Sequence, residues 1–426
     1  MSAIVDTRIE EYIVIVDGMG TAKYLAPTFL SLGYPCIHVE NKVEHHPALS
    51  LSLAPSLYCQ LFEYHGDLTD IVLELKKLPV KAIVPGGETG VQLAVELSRA
   101  LELPFEKGIH PASVFRDKYQ LYKTLGQLDE SFTYKTYSTL KEFQENLSEL
   151  GSLLPLVIKP RAGALAFGVS VCEKHEELLE AAKHSFDNND PFNRGDKPSI
   201  LVMSKLIGTE YMVNTISSAG IHKVREVWKM QKKIINGVPA YHTADFVHPD
   251  DPIYVEIYNT LKVSLDKLGI IDGPCHIEMI KPESRSPIII DFGYRLHGML
   301  DPSFPFAIYG SSTLLDAAKC IIDNELINYL SYKNNIKSAR NVNLHVPNVG
   351  LIAQDIDWSI INKIEGVHSI RKVFKKGDVV RLTDSGMNSF ATVYLVADSI
   401  EQLDIATAKV FESTSSLFKC INSEGM

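Results

Sequence analysis

The chain has 426 residues, of which 45% are apolar and 22% are charged, and its formal net charge is -10. This composition is that of a globular protein with roughly two to four domains, and the acidic balance argues against nucleic acid as the main partner. Six cysteines are scattered without C-x-x-C spacing, which predicts free thiols rather than a disulfide framework or a zinc site. The N-terminus has no signal-peptide pattern and no apolar run reaches about 18 residues, so we expect a cytoplasmic protein without a membrane span.

The first hundred residues alternate between predicted strands and helices. The apolar run YIVIVD (12–17) predicts a strand buried on both faces, and helical spacing over 21–32 ends at Gly33. Further strands are predicted at 36–39 and 82–85, and the second is followed by GGETG and a helix. Strands alternating with helices predict a parallel, doubly wound domain.

The middle of the chain predicts a change to antiparallel structure. An amphipathic helix is expected at 116–128, and two strands (154–160 and 169–172) flank a small-residue loop, which predicts a hairpin. The elements expected after it are a helix over HEELLEAAKHSF, a polar loop, strands at 199–203, 210–216 and 223–230, a helix at 253–268, and strands at 276–280 and 287–292. After about residue 310 we expect a helix, a polar linker (YKNNIKSARN) and strand-like segments without a chemical motif.

One candidate for phosphate binding is the loop after the first strand of that hairpin. Lys159 ends the strand, and Ala162, Gly163 and Gly168 stand in the loop. Glycines let backbone N–H groups turn toward phosphate oxygens, and a lysine adds positive charge. The lysine precedes the glycines, so this is not a G-x-x-x-x-G-K-[ST] loop, and such a lysine is by itself more often a solvated strand edge.

A pair of carboxylates is the second candidate. Glu278 and Asp291 lie on two otherwise apolar strands joined by a short turn, which would bring both side chains to one face. Acids are costly to bury without a partner, and Mg²⁺ bound to nucleotide phosphates would be such a partner. The alternative is two strand-end acids that face water.

Arg295 follows Asp291 by four residues in DFGYRLHG. A guanidinium at this place could hold a carboxylate or stabilise charge on a transferring phosphoryl group. His297 beside it is a candidate base, although such a histidine more often only forms hydrogen bonds.

Together these elements resemble the ATP-grasp superfamily over about residues 10–310, and in particular its L-amino-acid ligase branch, whose members make dipeptides. Each segment alone is a weak signal, whereas the set in this order is specific. The segments are RDKYQLYKTLG (116–126), LVIKPRAGALAFGVSVC (156–172), LVMSKLIGTEYMVNTIS (201–217), KVREVWKMQKKIINGVPAY (223–241), GPCHIEMI (273–280) and IIIDFGYRLHG (288–298).

The resemblance implies an α/β and α+β multidomain fold. An N-terminal doubly wound α/β domain would precede an ATP-grasp fold of two α+β subdomains that grip ATP between them, with a C-terminal α+β region after it. The limits we expect are 1–113 for the first domain, 114–205 for the small subdomain with the phosphate loop, 206–320 for the large subdomain with the metal site, and 321–426 for the C-terminal subdomain.

The resemblance also implies roles for individual residues. Lys118 and Lys159 would contact ATP phosphates, and the loop from Ala162 through Gly163 to Gly168 would cover them. The backbone around Lys205 and Leu206 would meet adenine, and Glu210 would bind the ribose hydroxyls. Glu278 and Asp291 would hold Mg²⁺, with Mn²⁺ as an alternative, and Arg295 would face an acyl phosphate. Asp17, Glu88 and Tyr241 are candidate substrate contacts that are as easily structural.

Three departures from the family pattern concern the same site. In the family, the hinge between the two ATP-grasp subdomains usually has a glutamate where this chain has Ser204. The family's metal motif is E-x-N-x-R, and this chain has Asp291-Phe292-Gly293-Tyr294-Arg295 in its place. Gly293 cannot supply an amide ligand, which puts a second metal ion in doubt. The phosphate loop also has few glycines and contains the bulky Phe167.

The expected activity is that of an ATP-dependent ligase, which joins a carboxylate, an amino acid by preference, to an amine through an acyl phosphate. The acid could instead be a dicarboxylate or a fatty acid. The expected partners are therefore small molecules, and a homodimer is common in such a family. The alternatives are a biotin-dependent type of carboxylase, an ATP-binding protein that has lost catalysis, and a dinucleotide-dependent dehydrogenase. The last is disfavoured because Lys23 stands where VIVDGMG would need its third glycine.

Overall fold

The computed structural model describes residues 11–43, 50–127, 134–163, 168–187, 199–235, 238–298, 301–382 and 389–422. Four β-sheets and the helices that pack on them make up this part of the chain. The centre of the predicted phosphate loop, including Phe167, lies outside the described residues, as does nearly all of the predicted polar loop NNDPFNRGDKPS. None of the helices in these ranges has the length and apolar character that crossing a membrane requires.

The first sheet is parallel, with the order β3-β2-β1-β4, and apolar cores cover both of its faces. The prediction of a doubly wound α/β domain is thereby confirmed. Its strand β3 escapes prediction because the residues QLFEY are largely exposed and form no apolar run. The elements are β1 Tyr12–Val16, α1 Leu25–Ser31, β2 Cys36–Asn41, β3 Gln60–Tyr64, α2 Thr69–Leu75, β4 Val80–Pro85 and α3 Val91–Ala100.

The second sheet is antiparallel and has the order β5-β8-β6-β7. Strands β6 and β7 pair directly, which confirms the predicted hairpin around the small-residue loop. The elements of this region are α4 Lys118–Leu125, β5 Tyr134–Tyr137, α5 Leu140–Glu145, α6 Leu147–Gly151, β6 Leu156–Pro160, β7 Ser170–Cys172, α7 Leu178–Phe186 and β8 Ile200–Ser204.

The third sheet is the largest and consists of eight antiparallel strands in the order β13-β12-β9-β10-β11-β14-β18-β16. The predicted carboxylate strands are its β12 and β13, which pair at one edge. The elements up to residue 322 are β9 Thr209–Ser218, β10 Ile221–Ile235, β11 Val238–Phe246, α8 Pro252–Leu268, β12 Gly273–Lys281, β13 Ile288–Gly293, α9 Ser303–Tyr309 and α10 Thr313–Ile322.

The C-terminal region completes this large sheet with three of its strands and forms a small three-stranded sheet besides. The prediction of a polar linker is wrong at the C-terminal end of that segment, because residues 338–341 already belong to β14. Arg340, which makes this segment look like a loop, pairs inside the protein with Asp245 and Asp404. The elements are β14 Ser338–His345, β15 Gly350–Ile352, α11 Ser359–Asn362, β16 Val367–Lys372, β17 Val379–Val380, β18 Ser389–Ala397, α12 Ile400–Leu417 and β19 Ile421–Asn422.

One apolar core joins the first domain to the large sheet. Val91 of α3, Tyr122 of α4, Leu265 of α8 and Ile277 of β12 are buried in the same cluster. Such close packing transmits position from one element to the next. It therefore fixes the start of α4 relative to the carboxylate strands. The four predicted domain limits stay predictions.

Candidate active site

A cavity of about 730 Å³ is lined by the second sheet on one side and by the large sheet on the other. Its lining falls into two parts of different chemistry. The lysine half is defined by Lys118, Lys159, Lys205, Glu210, Lys232, Tyr241, Glu278 and Asp291. The aromatic half is defined by Glu226, Trp228, His297, Asp301, Phe304, Asn341, Thr392 and Tyr394. Met212 stands between them, opposite Glu278 on β12 and opposite Trp228 on β10.

The two carboxylates meet in the lysine half as their spacing predicts. Glu278 on β12 lies directly opposite Asp291 on β13. Burial, with Asp291 and Glu210 as negative neighbours, raises the pKa of Glu278 to about 7. Burial also acts to raise the pKa of Asp291, but the ammonium groups of Lys118 and Lys159 outweigh it and hold that pKa below its ordinary value. A pair of this kind gains stability from an added cation.

Helix α4 starts at this carboxylate pair. Its N-cap Asp117 accepts hydrogen bonds from the backbone N–H groups of Tyr119 and Gln120, and it also pairs with Arg161. Lys118, the first helical residue, lies 3.0 Å (Nζ to Oδ1) from Asp291. The same ammonium donates a hydrogen bond of 3.0 Å to the carbonyl oxygen of Gly163. Lys118 thus ties the start of the loop to the carboxylates.

Lys159 is buried at the end of β6. Its ammonium donates hydrogen bonds to the Tyr122 hydroxyl (2.8 Å) and to the carbonyl oxygen of Ile290 (3.2 Å). Burial, together with the positive charge of Lys118, lowers the pKa of Lys159 to about 8. A lysine held by neutral partners keeps charge available for an anion, and one with a lowered pKa gains a full charge when a phosphate arrives.

Arg295 does not stand free beside the cavity. Its Nε lies 2.6 Å from Oε2 of Glu88, at the start of the segment that leads into α3, and Arg116 holds the other carboxylate oxygen at 3.0 Å. Burial would raise the pKa of Glu88, but the guanidinium groups of Arg295 and Arg116 outweigh it and keep that pKa below its ordinary value. Arg295 packs beside Gly293, where a Cβ would lie 3.4 Å from Cζ of the arginine, an ordinary van der Waals contact.

The segment between β8 and β9, which is the hinge between the second and the third sheet, forms the end wall of the lysine half. Lys205 pairs with Glu173 at 2.5 Å, and its backbone N–H donates to the carbonyl oxygen of Pro155. Glu210 on β9 accepts a hydrogen bond of 2.7 Å from the Tyr241 hydroxyl and pairs with Lys232 at 2.6 Å. Apolar side chains line the space next to them, namely Val157, Val171, Met203, Leu206 and Ile280.

Aromatic side chains from distant parts of the chain form the other half. The rings of Trp228 and Phe304 stack at 5.6 Å between centroids, and Tyr394 lies 4.9 Å from Phe304. Strands β14 and β18 add Asn341 and Thr392. Sequence reasoning assigned no role to any of these residues, although Trp228 lies in the segment 223–241 that resembles the ligase branch. The alternation of Asn341 and Asn343 along β14, on the cavity side, is the one signal that could have found them.

Glu226 is the buried acid of the aromatic half. Its carboxylate accepts hydrogen bonds from Trp228, Asn214, Tyr309 and Thr313 at 2.5 to 3.0 Å. Burial would raise the pKa of Glu226, but the nearby His297 and these donors keep it below its ordinary value. Burial lowers the pKa of His297, although the Glu226 carboxylate acts to raise it. Its Nδ1 has no hydrogen-bond partner within the described ranges.

Most of the residues that the sequence singles out line this one cavity. Ala162 and Gly168 are the exceptions among the predicted nucleotide contacts: Ala162 is buried, and the carbonyl of Gly168 accepts a hydrogen bond from Ser185. Asp17 lies elsewhere, in the first sheet, where it accepts hydrogen bonds from the Asn41 backbone (2.8 Å) and the Thr89 hydroxyl (2.5 Å). Glu88 and Tyr241 both line the cavity.

The donor set of the lysine half fits a magnesium ion with a nucleotide. Two half-buried carboxylates stand opposite each other, and Glu278 forms no ion pair with any described residue. No group of three or more His, Cys, Asp or Glu residues that could hold a metal occurs in the described part of the chain. Mg²⁺ commonly takes one or two carboxylates and completes its shell with water and phosphate oxygens, so the pair suffices.

Comparisons with known proteins agree with this geometry. The family model described as an ATP-grasp domain matches residues 152–302. Dapdiamide A synthase of Enterobacter agglomerans is 26% identical over 415 residues, which is 94% of this chain and 95% of that protein. The L-arginine-specific L-amino acid ligase of Bacillus subtilis is 20% identical over 266 residues, which is 60% of this chain and 61% of that protein.

The fold has a matching solved structure. The L-amino acid ligase from Bacillus licheniformis superposes with a TM-score of 0.73 at 17% identity, over 95% of this chain and 98% of that one. The domain match, the relative of nearly equal length and the common fold point the same way as the lysines and paired carboxylates of the cavity. Residues 152–302 thus match an ATP-grasp domain, and over nearly its whole length the chain is similar to a dapdiamide A synthase and has the fold of an L-amino acid ligase.

Proposed function

We propose that the lysine half binds Mg·ATP and that the carboxylate of an amino acid is phosphorylated beside it. The observation that supports this most is the contact of Lys118 with both Asp291 and Gly163, because one ammonium joins the carboxylates to the phosphate loop. Lys118 and Lys159 would neutralise phosphate oxygens, and Glu278 and Asp291 would hold the metal ion. Mg²⁺, when bound, supplies further positive charge to the phosphates. Mn²⁺ is an alternative ion.

The hinge side of the lysine half suits the nucleoside. Backbone groups at Lys205 and Leu206 would contact adenine, whose flat ring would lie on the neighbouring apolar side chains of Val157 and Met203. Glu210 would accept hydrogen bonds from the ribose hydroxyls. The Tyr241 hydroxyl and the Lys232 ammonium orient that carboxylate. Ala162, Gly163 and Gly168 would belong to the cover over the phosphates.

The reaction needs position and charge rather than a nucleophilic side chain. The substrate carboxylate would attack the γ-phosphorus and give an acyl phosphate and ADP. Arg295, which Glu88 holds in place, would stabilise the negative charge of the acyl phosphate and of the tetrahedral intermediate. A neutral amine would then attack the acyl carbon and expel phosphate. Closure over the site would exclude water, which would otherwise hydrolyse the acyl phosphate.

The two remaining alternatives predict different results in an assay of ATP turnover. A carboxylase of the biotin-dependent type would release phosphate with bicarbonate and no amine. A protein that has lost catalysis would bind ATP without acid-dependent turnover, and the replacement of the usual asparagine by Gly293 is the observation that favours it. Arg295 nevertheless packs beside Gly293 and is held by Glu88, so the arginine is in place without the asparagine. A homodimer and a cytoplasmic location stay predictions.

The test is phosphate release from Mg·ATP with amino acids supplied singly and in pairs, with mass spectrometry of the products. We expect release that depends on particular pairs, with a product lighter than their sum by one water. Release with bicarbonate alone would favour a carboxylase. Binding of ADP without release of phosphate for any pair of acid and amine would contradict the proposed ligase.

A further inference from the structure

The aromatic half has no role in holding the nucleotide, yet it lies next to the carboxylate pair. Glu278, Met212 and Trp228 face one another across β12, β9 and β10. At a spacing of about 4.8 Å between strands, Trp228 is about 10 Å from Glu278. That distance leaves room for one amino acid whose carboxylate is at the metal ion and whose side chain reaches the rings.

The wall of this half is apolar and is supported from behind. Phe304 stacks on Trp228 and contacts Tyr394, and all three side chains are at most 5% exposed. Trp228 is fixed by the hydrogen bond from its Nε1 to Glu226. A rigid aromatic wall gains the most from a bulky apolar side chain that covers it. A charged side chain would lose its own hydration beside these rings.

The charge of the aromatic half differs in sign from that of the lysine half. Glu226 and Asp301 are both ionised here, since hydrogen-bond donors and nearby histidines hold their pKa values below the ordinary range despite burial. None of the lysines that line the described part of the cavity belongs to this half, and the guanidinium of Arg295, which acts on His297, is paired with Glu88. A second substrate carboxylate would therefore be repelled, whereas an ammonium group would be stabilised.

The sign of the charge also distinguishes the two amines of the reaction. The attacking amine must be neutral, because its lone pair forms the new bond. Negative neighbours favour the protonated form of an amine. An amino group that is bound beside Glu226 is thus kept as an ammonium and does not react, which suits the amino group of the acid that is being activated.

We propose that the aromatic half is the subsite for the activated acid, and that this acid is an α-amino acid with a bulky apolar side chain. Its side chain would lie on Phe304 and Trp228, and its ammonium would face Glu226 and His297. This inference rests on the proposed ligase function. It disfavours a dicarboxylate, because of the two acids, and a fatty acid, because of the buried charge and the unpartnered Nδ1 of His297.

The experiment measures acid-dependent ADP formation with a fixed amine for alanine, valine, leucine, phenylalanine and aspartate. We expect leucine or phenylalanine to exceed alanine and aspartate by at least about tenfold in kcat/KM, in line with about tenfold or more for a few methylenes in an apolar pocket. The analogue 4-methylpentanoate has the side chain of leucine without its amino group. We expect it to be at least about tenfold poorer than leucine.

Variants of Phe304 test the wall directly. Phe304→Trp fills the subsite, so the ratio of kcat/KM for phenylalanine to kcat/KM for alanine should fall at least about tenfold. Phe304→Leu changes the side-chain volume less than Phe304→Trp does, and it should shift the preference toward amino acids with larger side chains. Phe306→Ala is the control, because Phe306 is on the same helix but is 45% exposed and does not line the cavity.

The outcomes separate this inference from the function on which it rests. Absence of acid-dependent ADP formation with every acid would overturn both. Turnover that is best with aspartate or a fatty acid, or a Phe304→Trp loss that is the same for all acids, would overturn the subsite and leave the ligase intact. Equal turnover of leucine and 4-methylpentanoate would overturn the ammonium contact. If Phe304→Trp fails to fold, the Phe304→Leu preference decides between these outcomes.

Discussion

The two halves of the cavity are built from the chain in different ways. The lysine half takes its charges from segments that are short and contiguous, with Lys118 beside its cap Asp117 and the two carboxylates on one pair of neighbouring strands. The aromatic half takes its residues from β10, the segment after β13, α9, β14 and β18. A site for phosphate and metal needs a few fixed charges, whereas a pocket for a substrate side chain needs a shaped wall that only distant elements provide.

The electrostatics of the halves follow from the same difference. Lysines and carboxylates neutralise one another in the lysine half, where Lys159 has a pKa lowered to about 8 and Glu278 a pKa raised to about 7. In the aromatic half, hydrogen bonds from neutral groups stabilise Glu226. We therefore expect changes in the lysine half to affect nucleotide binding and chemistry, and changes in the aromatic half to affect only the acid.

The largest effect is expected where the lysine half meets the reacting groups. Glu278→Gln and Arg295→Ala should each lower kcat by about 10²- to 10³-fold, because Glu278 would hold the metal ion that neutralises the transferring phosphate and Arg295 would stabilise the charge of the acyl phosphate. Steady-state ADP formation measures the loss. Glu283→Gln is the matched control, since Glu283 is exposed in the turn between β12 and β13. If either variant kept its turnover, the assignment of the lysine half would be wrong.

The second-largest expected effect is a dependence of nucleotide binding on pH. Lys159 binds phosphate as an ammonium, and its lowered pKa means that it loses the proton as pH rises through about 8. ADP affinity without metal should therefore fall by about 25-fold between pH 7.5 and 9.5, if only the charged lysine binds. Calorimetry on the wild type and on Lys159→Arg measures it.

The arginine variant keeps its charge over this range and serves as the control for every other group that titrates. We expect its ADP affinity to change much less with pH than that of the wild type. Parallel curves for the two proteins would show that Lys159 does not contact phosphate.

Glu226→Gln is expected to act on the other half alone. The substitution removes the negative charge that faces the substrate ammonium, so the KM for the acid should rise about tenfold while ADP affinity stays within about twofold. Substrate titrations and ADP calorimetry give the two numbers. Glu325→Gln, at an exposed position, is the control. A loss of ADP affinity as large as the rise in the KM for the acid would mean that the two halves are not separate.

The smallest effect concerns the wall of the lysine half. Tyr241→Phe removes the hydrogen bond of 2.7 Å to Glu210, which leaves that carboxylate less well oriented toward a ribose. ADP affinity should fall by about fivefold, the value of one hydrogen bond of about 1 kcal/mol. Tyr329→Phe is the control, because Tyr329 is 75% exposed. A change in the KM for the acid instead of the ADP affinity would place Tyr241 with the substrate.

Local pattern singled out Lys159 and the pair of Glu278 and Asp291. Lys118, Lys205 and Glu210 were implied only by the resemblance to a family, and Lys232 was not predicted. The apolar runs at 12–17 and 154–160 each form a strand near the predicted place, and the pairing of Glu278 with Asp291 follows from two strands and a short turn. These features depend on residues close in sequence, for which periodicity and spacing are direct signals.

The aromatic half could not be predicted because its contacts depend on sheet order. Nothing in the sequence indicates that β14 pairs with β11, or that Tyr394 on β18 then comes to lie against Phe304. The polar linker prediction failed for a related reason: Arg340 looks solvated until Asp245 and Asp404 are brought to it by the fold. Likewise, the pairing of Arg295 with Glu88 joins residues 207 positions apart.

The central claim is that the acid is activated as an acyl phosphate, and an isotope measurement tests it most directly. The amino acid that supports turnover is supplied with ¹⁸O in both carboxylate oxygens, and the phosphate released in the presence of the amine is analysed by mass spectrometry. Attack of the carboxylate on ATP followed by cleavage of the acyl C–O bond transfers one ¹⁸O to each phosphate. We predict one labelled oxygen per phosphate; phosphate without label would contradict the acyl phosphate and with it the ligase mechanism.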